Sequence, residues 1–246
     1  MEFQRIHLDR IDSTNNYAAN WLKMTKGRIP TAITTSYQSK GKGQRSKDWK
    51  SEKDKNILIS YITYPTSPMA EEIFVLNKFI ANAVHRVIAT FLPDNLSVKI
   101  KWPNDIWVEN KKLAGILIEN QWRGAHISSS IVGIGINVNQ TENLLPSATS
   151  MSITSNKPFS LEVILHSLTE AIQEVMEKQS EESLKAINLA YQTNLLGLNR
   201  KVNFNLGNNC FKGEIIDVNA NGQLLILNEK QQLLPFNHGE IEVIYS

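Results

Sequence analysis

The sequence predicts two units, a larger one of interleaved strands and helices over residues 1–196 and a small β-barrel over residues 197–246. Three observations support this. Apolar positions recur at helical spacing over residues 71–92, 161–178 and roughly 181–196. Other runs, 57–63 and 98–121, alternate or stay apolar over strand lengths. After Gly197 the texture changes to brief β segments at 201–206, 211–218, 223–227 and 240–244, joined by turns rich in Gly and Asn.

Composition narrows the classes. With 246 residues, 41% of them apolar, and a net charge of +2, the chain can bury a sizeable core, and its charge is too mild to imply a polyanionic partner. Cys210 is the only cysteine, which excludes an intramolecular disulfide and a Cys-rich zinc site and suits a reducing cytosol. Charges punctuate the first twelve residues, and no later run approaches the length of a bilayer span, so neither export nor a membrane anchor is expected.

In chain order, residues 3–8 alternate as an edge strand would, and Asp12-Ser13-Thr14-Asn15 precedes a helix marked by Tyr17, Ala18, Trp21 and Leu22. One of Ser13, Thr14 and Asn15 is expected to cap that helix, and amides at a helix start can also hold a ligand carboxylate. Residues 32–36 read as a strand that delivers the segment 36–49, SYQSKGKGQRSKDW, in which Lys40, Lys42, Arg45 and Lys47 surround Gly41 and Gly43. Such a loop is either an anion cradle or a solvated cluster of charge. The strand 57–63 leaves it. The helix over 71–92 turns Ile73, Leu76, Ile80, Val84, Val87 and Phe91 inward before Pro93, and His85 within it is given no role.

Residues 98–121 read as a hairpin with a polar bend at Glu109-Asn110. Strict alternation groups Lys112 with Ala114, Ile116 and Ile118, which makes it a lysine either snorkelling at a sheet edge or placed for a purpose. Gly115 marks a bulge or a close approach. The strand 127–138 ends in Gly133, Gly135 and Asn137, but without the helix and acid of a dinucleotide fingerprint. Two amphipathic helices follow, burying Leu161, Ile164, Leu168, Ile172 and Val175 in the first and Leu184, Ile187 and Tyr191 in the second.

Five blocks in this order resemble the biotin protein ligases over nearly the whole chain: DSTN at 12–15, GKGQRSKDW at 41–49, KWPND at 101–105, KKLAGIL at 111–117 and GIGINVN at 133–139. The start at Met1 resembles the shorter form without a DNA-binding domain. The resemblance implies an α+β catalytic domain with a mixed sheet, related to class II tRNA synthetases, and an SH3-like C-terminal barrel. It implies that biotin and MgATP give biotinyl-5′-AMP, which a lysine of a biotin carboxyl carrier domain then attacks, in a cytoplasmic monomer or homodimer without nucleic-acid or membrane partners.

Position by position, the resemblance puts Ser13, Thr14, Asn15, Gln38, Gly41, Lys42, Gly43, Gln44, Lys112 and Gly115 on biotin. It puts Lys42, Gln44, Arg45, Lys47, Trp49 and Asn137 on ATP, with Asn137 reading adenine and Trp49 as a lid or stacking surface. Lys112 is the implied central cation, supported by Lys47 and Arg45, with Lys101 a weaker phosphate candidate. Asp105 is an implied Mg²⁺ ligand, or else bonds the turn after Pro103. The loop departs from the family pattern at Lys42, Gln44, Ser46 and Lys47, and Gln44, which lacks the charge of the usual arginine, predicts looser retention of the adenylate. A lipoate or octanoyl ligase of the same superfold is the nearest alternative, and a non-catalytic nucleic-acid module with scattered tryptophans the more distant one.

Overall fold

The computed structural model describes residues 2–66, 74–178, 180–207 and 209–244. In chain order the first part contains β1 (Gln4–Ile11), α1 (Thr14–Met24), β2 (Thr31–Gln38), the short β3 (Gly41–Lys42) and β4 (Asp48–Trp49), and β5 (Asn56–Thr63). Then come α2 (Val75–Phe91), β6 (Val98–Lys101), β7 (Asp105–Val108), β8 (Lys111–Arg123), β9 (His126–Asn137), α3 (Met151–Ser155), α4 (Leu161–Glu177) and α5 (Glu181–Asn194). The chain closes with β10 (Lys201–Leu206), β11 (Asn209–Val218), β12 (Leu224–Asn228), β13 (Leu233–Phe236) and β14 (Glu242–Ile244).

A seven-stranded mixed sheet orders these as β1-β2-β5-β9-β8-β7-β6, parallel at β1–β2 and antiparallel between β2 and β5 and at β5–β9–β8. β5 is buried at all eight positions, polar Asn56, Ser60 and Thr63 included, as a strand covered on both faces must be. Alternate residues sort the two faces. Ala32, Tyr61 and Val132 pack with α2 and α4 in the main core, while Ile33, Ile62 and Ile131 pack with Ala18 of α1. The α1 face also carries the cleft described below.

The inward residues expected of the long helix are found on α2, except that Ile73, like the expected start at residue 71, lies outside the described residues; Leu76, Ile80 and Val84 are fully buried and His85 bonds the Val98 carbonyl at 3.1 Å. The inward faces of α4 and α5 are as expected, and Tyr191 is buried. α3 and β13 were not foreseen. α3 spans five residues, too short for a helical period to show, and β13 contains Pro235, which an edge strand tolerates because it donates no ladder bond there.

β10 to β14 form a separate five-stranded antiparallel sheet with β13 and β14 at its edges, consistent with an SH3-like unit. It shares one continuous core with the first part, because Phe204, Ile215, Val218, Leu224 and Ile226 belong to the same buried cluster as α2 and α4. Buried Lys78 of α2 donates to Asn188 Oδ1 at 3.0 Å and to the Val218 carbonyl at 2.9 Å, and Trp102 Nε1 donates to the Gly222 carbonyl at 2.8 Å. The two sheets are therefore held in fixed relation by buried polar bonds as well as apolar packing.

One local expectation fails with consequence. β7 and β8 pair Ile106 with Ala114 but Trp107 with Lys112, so Leu113 is an extra residue on β8. A bulge of this kind resets the alternation. Leu113 joins Ala114 and Ile116 in the core, and Lys112 turns to the opposite face, beside Gly115.

Candidate active site

Gly115 and Gly135 are cross-strand partners on β8 and β9, and Gly133 faces Leu117 one step further along. Their missing side chains leave bare backbone as the floor of a cleft of about 680 Å³, within the range of small-molecule sites. The Trp49 ring lies over this floor. A Cβ at Gly135 would stand 2.5 Å from Trp49 Cε2, and one at Gly115 would stand 3.0 Å from Trp49 Cζ3. Trp49 Nε1 is buried there without a hydrogen-bond partner.

One end of the cleft is neutral and polar. Ser13, Thr14, Asn15 and Gln38 are all buried and all line it. Ser13 occupies the cap position of α1 but makes no side-chain capping bond. Thr14 donates its backbone N–H at 2.7 Å and its hydroxyl at 3.0 Å to Gln38 Oε1. Asn15 Nδ2 donates to Glu119 Oε2 at 2.7 Å, while its Oδ1 accepts from Ser60 Oγ at 2.6 Å. The expected side-chain capping is absent, and these groups bond the sheet instead.

The other end is cationic. Gly41–Lys42 pairs with Asp48–Trp49, and Gly43 N donates to the Lys47 carbonyl at 2.7 Å, closing the basic loop around a single turn at Gln44–Ser46. Lys42, Gly43, Gln44, Arg45, Lys47 and Trp49 line the cleft. Gly41 sits behind it, where a Cβ would overlap the Trp49 carbonyl oxygen, so its role is to let β3 meet β4.

Lys112 reaches Asp105 Oδ1 at 2.7 Å and stands 5.5 Å from the Trp49 ring centre. Its own backbone is fixed by bonds from Lys112 N to the Ser147 carbonyl and from Thr149 N to the Lys112 carbonyl, both 2.8 Å. Asp105 is placed by Asn104, whose Nδ2 donates to the Ile116 carbonyl and whose own carbonyl accepts from Ile116 N at 3.0 Å. Asp105 thus serves Lys112, and the anchoring of this turn falls to its neighbour. Lys101 lies 4.0 Å from the Trp107 ring centre, and burial lowers its pKa, with Lys112 and Lys47 adding to the effect and Asp105 and Glu242 opposing it. Asn137 Nδ2 donates to the Thr149 carbonyl at 3.0 Å, and its buried Oδ1 has no partner.

Among the described residues no group of three or more His, Cys, Asp or Glu is arranged to hold a metal. Asp105 offers one carboxylate already paired with Lys112, so these residues do not form a Mg²⁺ cage.

The C-terminal sheet supplies a wall that the sequence reading missed. His238, Gly239 and Glu242 line the cleft, and Trp102 meets His238 edge-on at 5.6 Å. Burial, and then nearby Arg45, push His238 below its usual pKa. Arg45 has a left-handed backbone, φ 55, and its guanidinium occupies the place a Cβ on Gly239 would take. The only sequence signal was a Gly in a turn. Because Gly239 has φ +90, Gly239→Ala is expected to strain the turn by about 1–3 kcal/mol and displace Arg45. Faster tryptic cleavage of the basic loop and a severalfold higher KM for ATP are the expected readouts.

Comparison with known proteins agrees with this architecture. Residues 7–137 match the model of the biotin/lipoate A/B protein ligase family. The chain is 28% identical to the bifunctional ligase/repressor BirA of Bacillus spizizenii over 226 residues, covering 90% of this chain and 68% of that protein. It is 30% identical to the biotin–[acetyl-CoA-carboxylase] ligase of Paracoccus denitrificans over 132 residues, 53% of each chain. The solved biotin protein ligase of Aquifex aeolicus in complex with biotin and ATP superposes with a TM-score of 0.79 at 27% identity, covering 99% of both chains. Since the family match spans more than half of its 246 residues, the chain belongs to the biotin/lipoate A/B protein ligase family.

Proposed function

We infer that this protein is an ATP-dependent biotin protein ligase, which forms biotinyl-5′-AMP and transfers the biotinyl group to a lysine of a carboxyl carrier domain. The observation that carries this reading is the polarity of the cleft: four buried neutral side chains at one end, Lys112 with the basic loop at the other, and a floor of glycine backbone between. Biotin has the same polarity, a neutral ureido ring and an anionic carboxylate. The ring suits Ser13, Thr14 and Gln38, where Gln38 Oε1 is taken by Thr14 and its amide nitrogen remains to donate. The carboxylate suits the Lys112 end.

A carboxylate oxygen attacks the α-phosphorus, the bond to the bridging oxygen breaks, and pyrophosphate leaves with that electron pair. Two anions must meet for this step, so fixed cations that pair with the charge as it moves lower the barrier. Lys112 is the compact cation placed for it, and Lys42, Lys47 and Lys101 ring the phosphate side. The free Oδ1 of Asn137 accepts a hydrogen bond from the exocyclic amine of adenine, while its Nδ2 stays on Thr149. Among the described residues no cage of side chains would hold Mg²⁺, so a divalent ion bound to ATP would add positive charge that these residues do not supply. In the second step the acceptor amine attacks the acyl carbon and AMP leaves; Trp49 and the basic loop keep water from the mixed anhydride.

Residues 1–196 carry the chemistry in this reading and residues 197–246 wall the cleft. The protein acts in the cytoplasm; no helix among the described residues is long and apolar enough to cross a membrane. Incubation with biotin and ATP should yield biotinyl-5′-AMP by mass spectrometry, and its absence at high enzyme concentration would refute the reading. The family also includes lipoate ligases, so lipoate is the control substrate. Because Gln44 lines the cleft without charge, some adenylate should escape and label bystander lysines. Biotinylated serum albumin, detected after incubation with enzyme, biotin and ATP, is the expected result, with Gln44→Arg suppressing it.

A further inference from the structure

Asn15, one of the residues set beside biotin, has both ends of its amide committed to the protein. It lies across three adjacent strands. Ser60 on β5 is paired with Gly133 on β9, and Gly133 is paired with Leu117 on β8. Asn15 rests over the middle strand, where a Cβ on Gly133 would overlap its Oδ1 and stand 2.9 Å from its Cγ. On one side Ser60 Oγ donates to Oδ1; on the other, Nδ2 donates to Glu119 Oε2 and, at 3.4 Å, to the Leu117 carbonyl. Ser60 is fully buried, whereas Glu119 is exposed.

We propose that Ser60 and Glu119 are positioning residues for biotin, acting through Asn15 to fix the first turn of α1 on the sheet so that Ser13, Thr14 and Gln38 present their polar groups to the ureido ring. The proposal rests on the biotin reading above. The donor on Ser60 and the acceptor on Glu119 permit one orientation of the Asn15 amide, with oxygen toward β5 and nitrogen toward β8. Immediately before it, Thr14 gives both of its donors to Gln38 at the end of β2. The start of α1 is thereby bonded to β2, β5 and β8, and Gly133 lets it lie flat on β9. Removing the Glu119 carboxylate leaves Nδ2 with only its long bond to Leu117, and the turn is free to pivot away from Gln38. Nothing in this network reaches the ATP end, so its effect is confined to biotin.

The test compares the full-length protein with Ser60→Ala, Glu119→Ala and Glu119→Gln, reading biotin affinity without ATP by calorimetry and the separate KM values for biotin and ATP by pyrophosphate exchange. Glu119→Ala and Ser60→Ala are expected to weaken biotin about tenfold, the cost of removing a partner from the buried Asn15 amide, with the KM for ATP moving less than about twofold. Glu119→Gln keeps an oxygen acceptor and should stay within about threefold of the unmutated protein. Since Glu119 is exposed, its substitution leaves the core intact, and an unchanged thermal midpoint confirms this. Unchanged biotin affinity in Glu119→Ala would overturn the positioning role, as would biotin and ATP KM values rising together. Failure of the unmutated protein to bind biotin would instead remove the substrate reading itself.

Discussion

Lys112→Ala is expected to lower biotin-dependent adenylate formation by about 10²–10³-fold, the scale lost when one pre-placed donor to developing charge is removed. The expectation follows from how firmly the ammonium is held. Its strand is bulged at Leu113, its backbone bonds Ser147 and Thr149, and its Nζ is 2.7 Å from Asp105. Little of that placement is needed for stability, since Lys112 is partly exposed, so the variant should fold. Lys112→Arg should not restore the rate. A planar guanidinium spreads its charge over a fork and does not reproduce the compact ammonium that stands beside Gly115 and the Trp49 ring. Asp105→Ala should cost less, because it frees the cation without removing it. Pyrophosphate exchange on the three variants checks the order, and near-normal exchange by Lys112→Ala would contradict the role of this residue.

Gly41→Ala is expected to open the basic loop. The added methyl would overlap the Trp49 carbonyl oxygen and stand 2.8 Å from Gln38 Nε2. A backbone carbonyl cannot swing aside as the end of a long side chain can, so the Gly41–Trp49 pairing must break. Overpacking of this kind costs about 1–3 kcal/mol locally, against a loop closed by two short strands and by backbone bonds from Gly43 N to the Lys47 carbonyl and from Lys47 N to the Gln44 carbonyl. Trp49 then leaves the glycine floor and Gln38 is pushed from the biotin end. Retention of biotinyl-AMP should fall by roughly one to two orders of magnitude, equivalent to that energy, and bystander labelling should rise. Half-life of the enzyme-bound adenylate on a desalting column is the measurement.

The elements whose residues repeat with a period were legible in the sequence: the long helices, the buried strand β5 and most of the second sheet. So were many cleft residues of the first part of the chain, because glycines, lysines and the DSTN and KWPND blocks mark themselves, whereas the wall at His238, Gly239 and Glu242 was not. What they do was less legible. Alternation put Lys112 on the wrong face because a single bulge, fixed by bonds to distant Ser147 and Thr149, resets it. Asp105 reads as a Mg²⁺ ligand or as a partner of the turn after Pro103, and its pairing with Lys112 has no signal in the spacing. Ser60, Glu119 and Gly239 carry no local signal, since their partners Asn15 and Arg45 lie far away in the chain. Asn15 itself reads as a helix cap or a ligand contact, and only the sheet register shows that its amide is committed on both sides.

The central claim is that the neutral end of the cleft selects biotin and the cationic end activates its carboxylate. ATP–pyrophosphate exchange with biotin, lipoate and octanoate as competing acids tests it most directly. The account predicts exchange that depends on biotin and is negligible with the other two, whose rings or chains offer no ureido group to Ser13, Thr14 and Gln38. Exchange supported by lipoate or octanoate but not by biotin would contradict it.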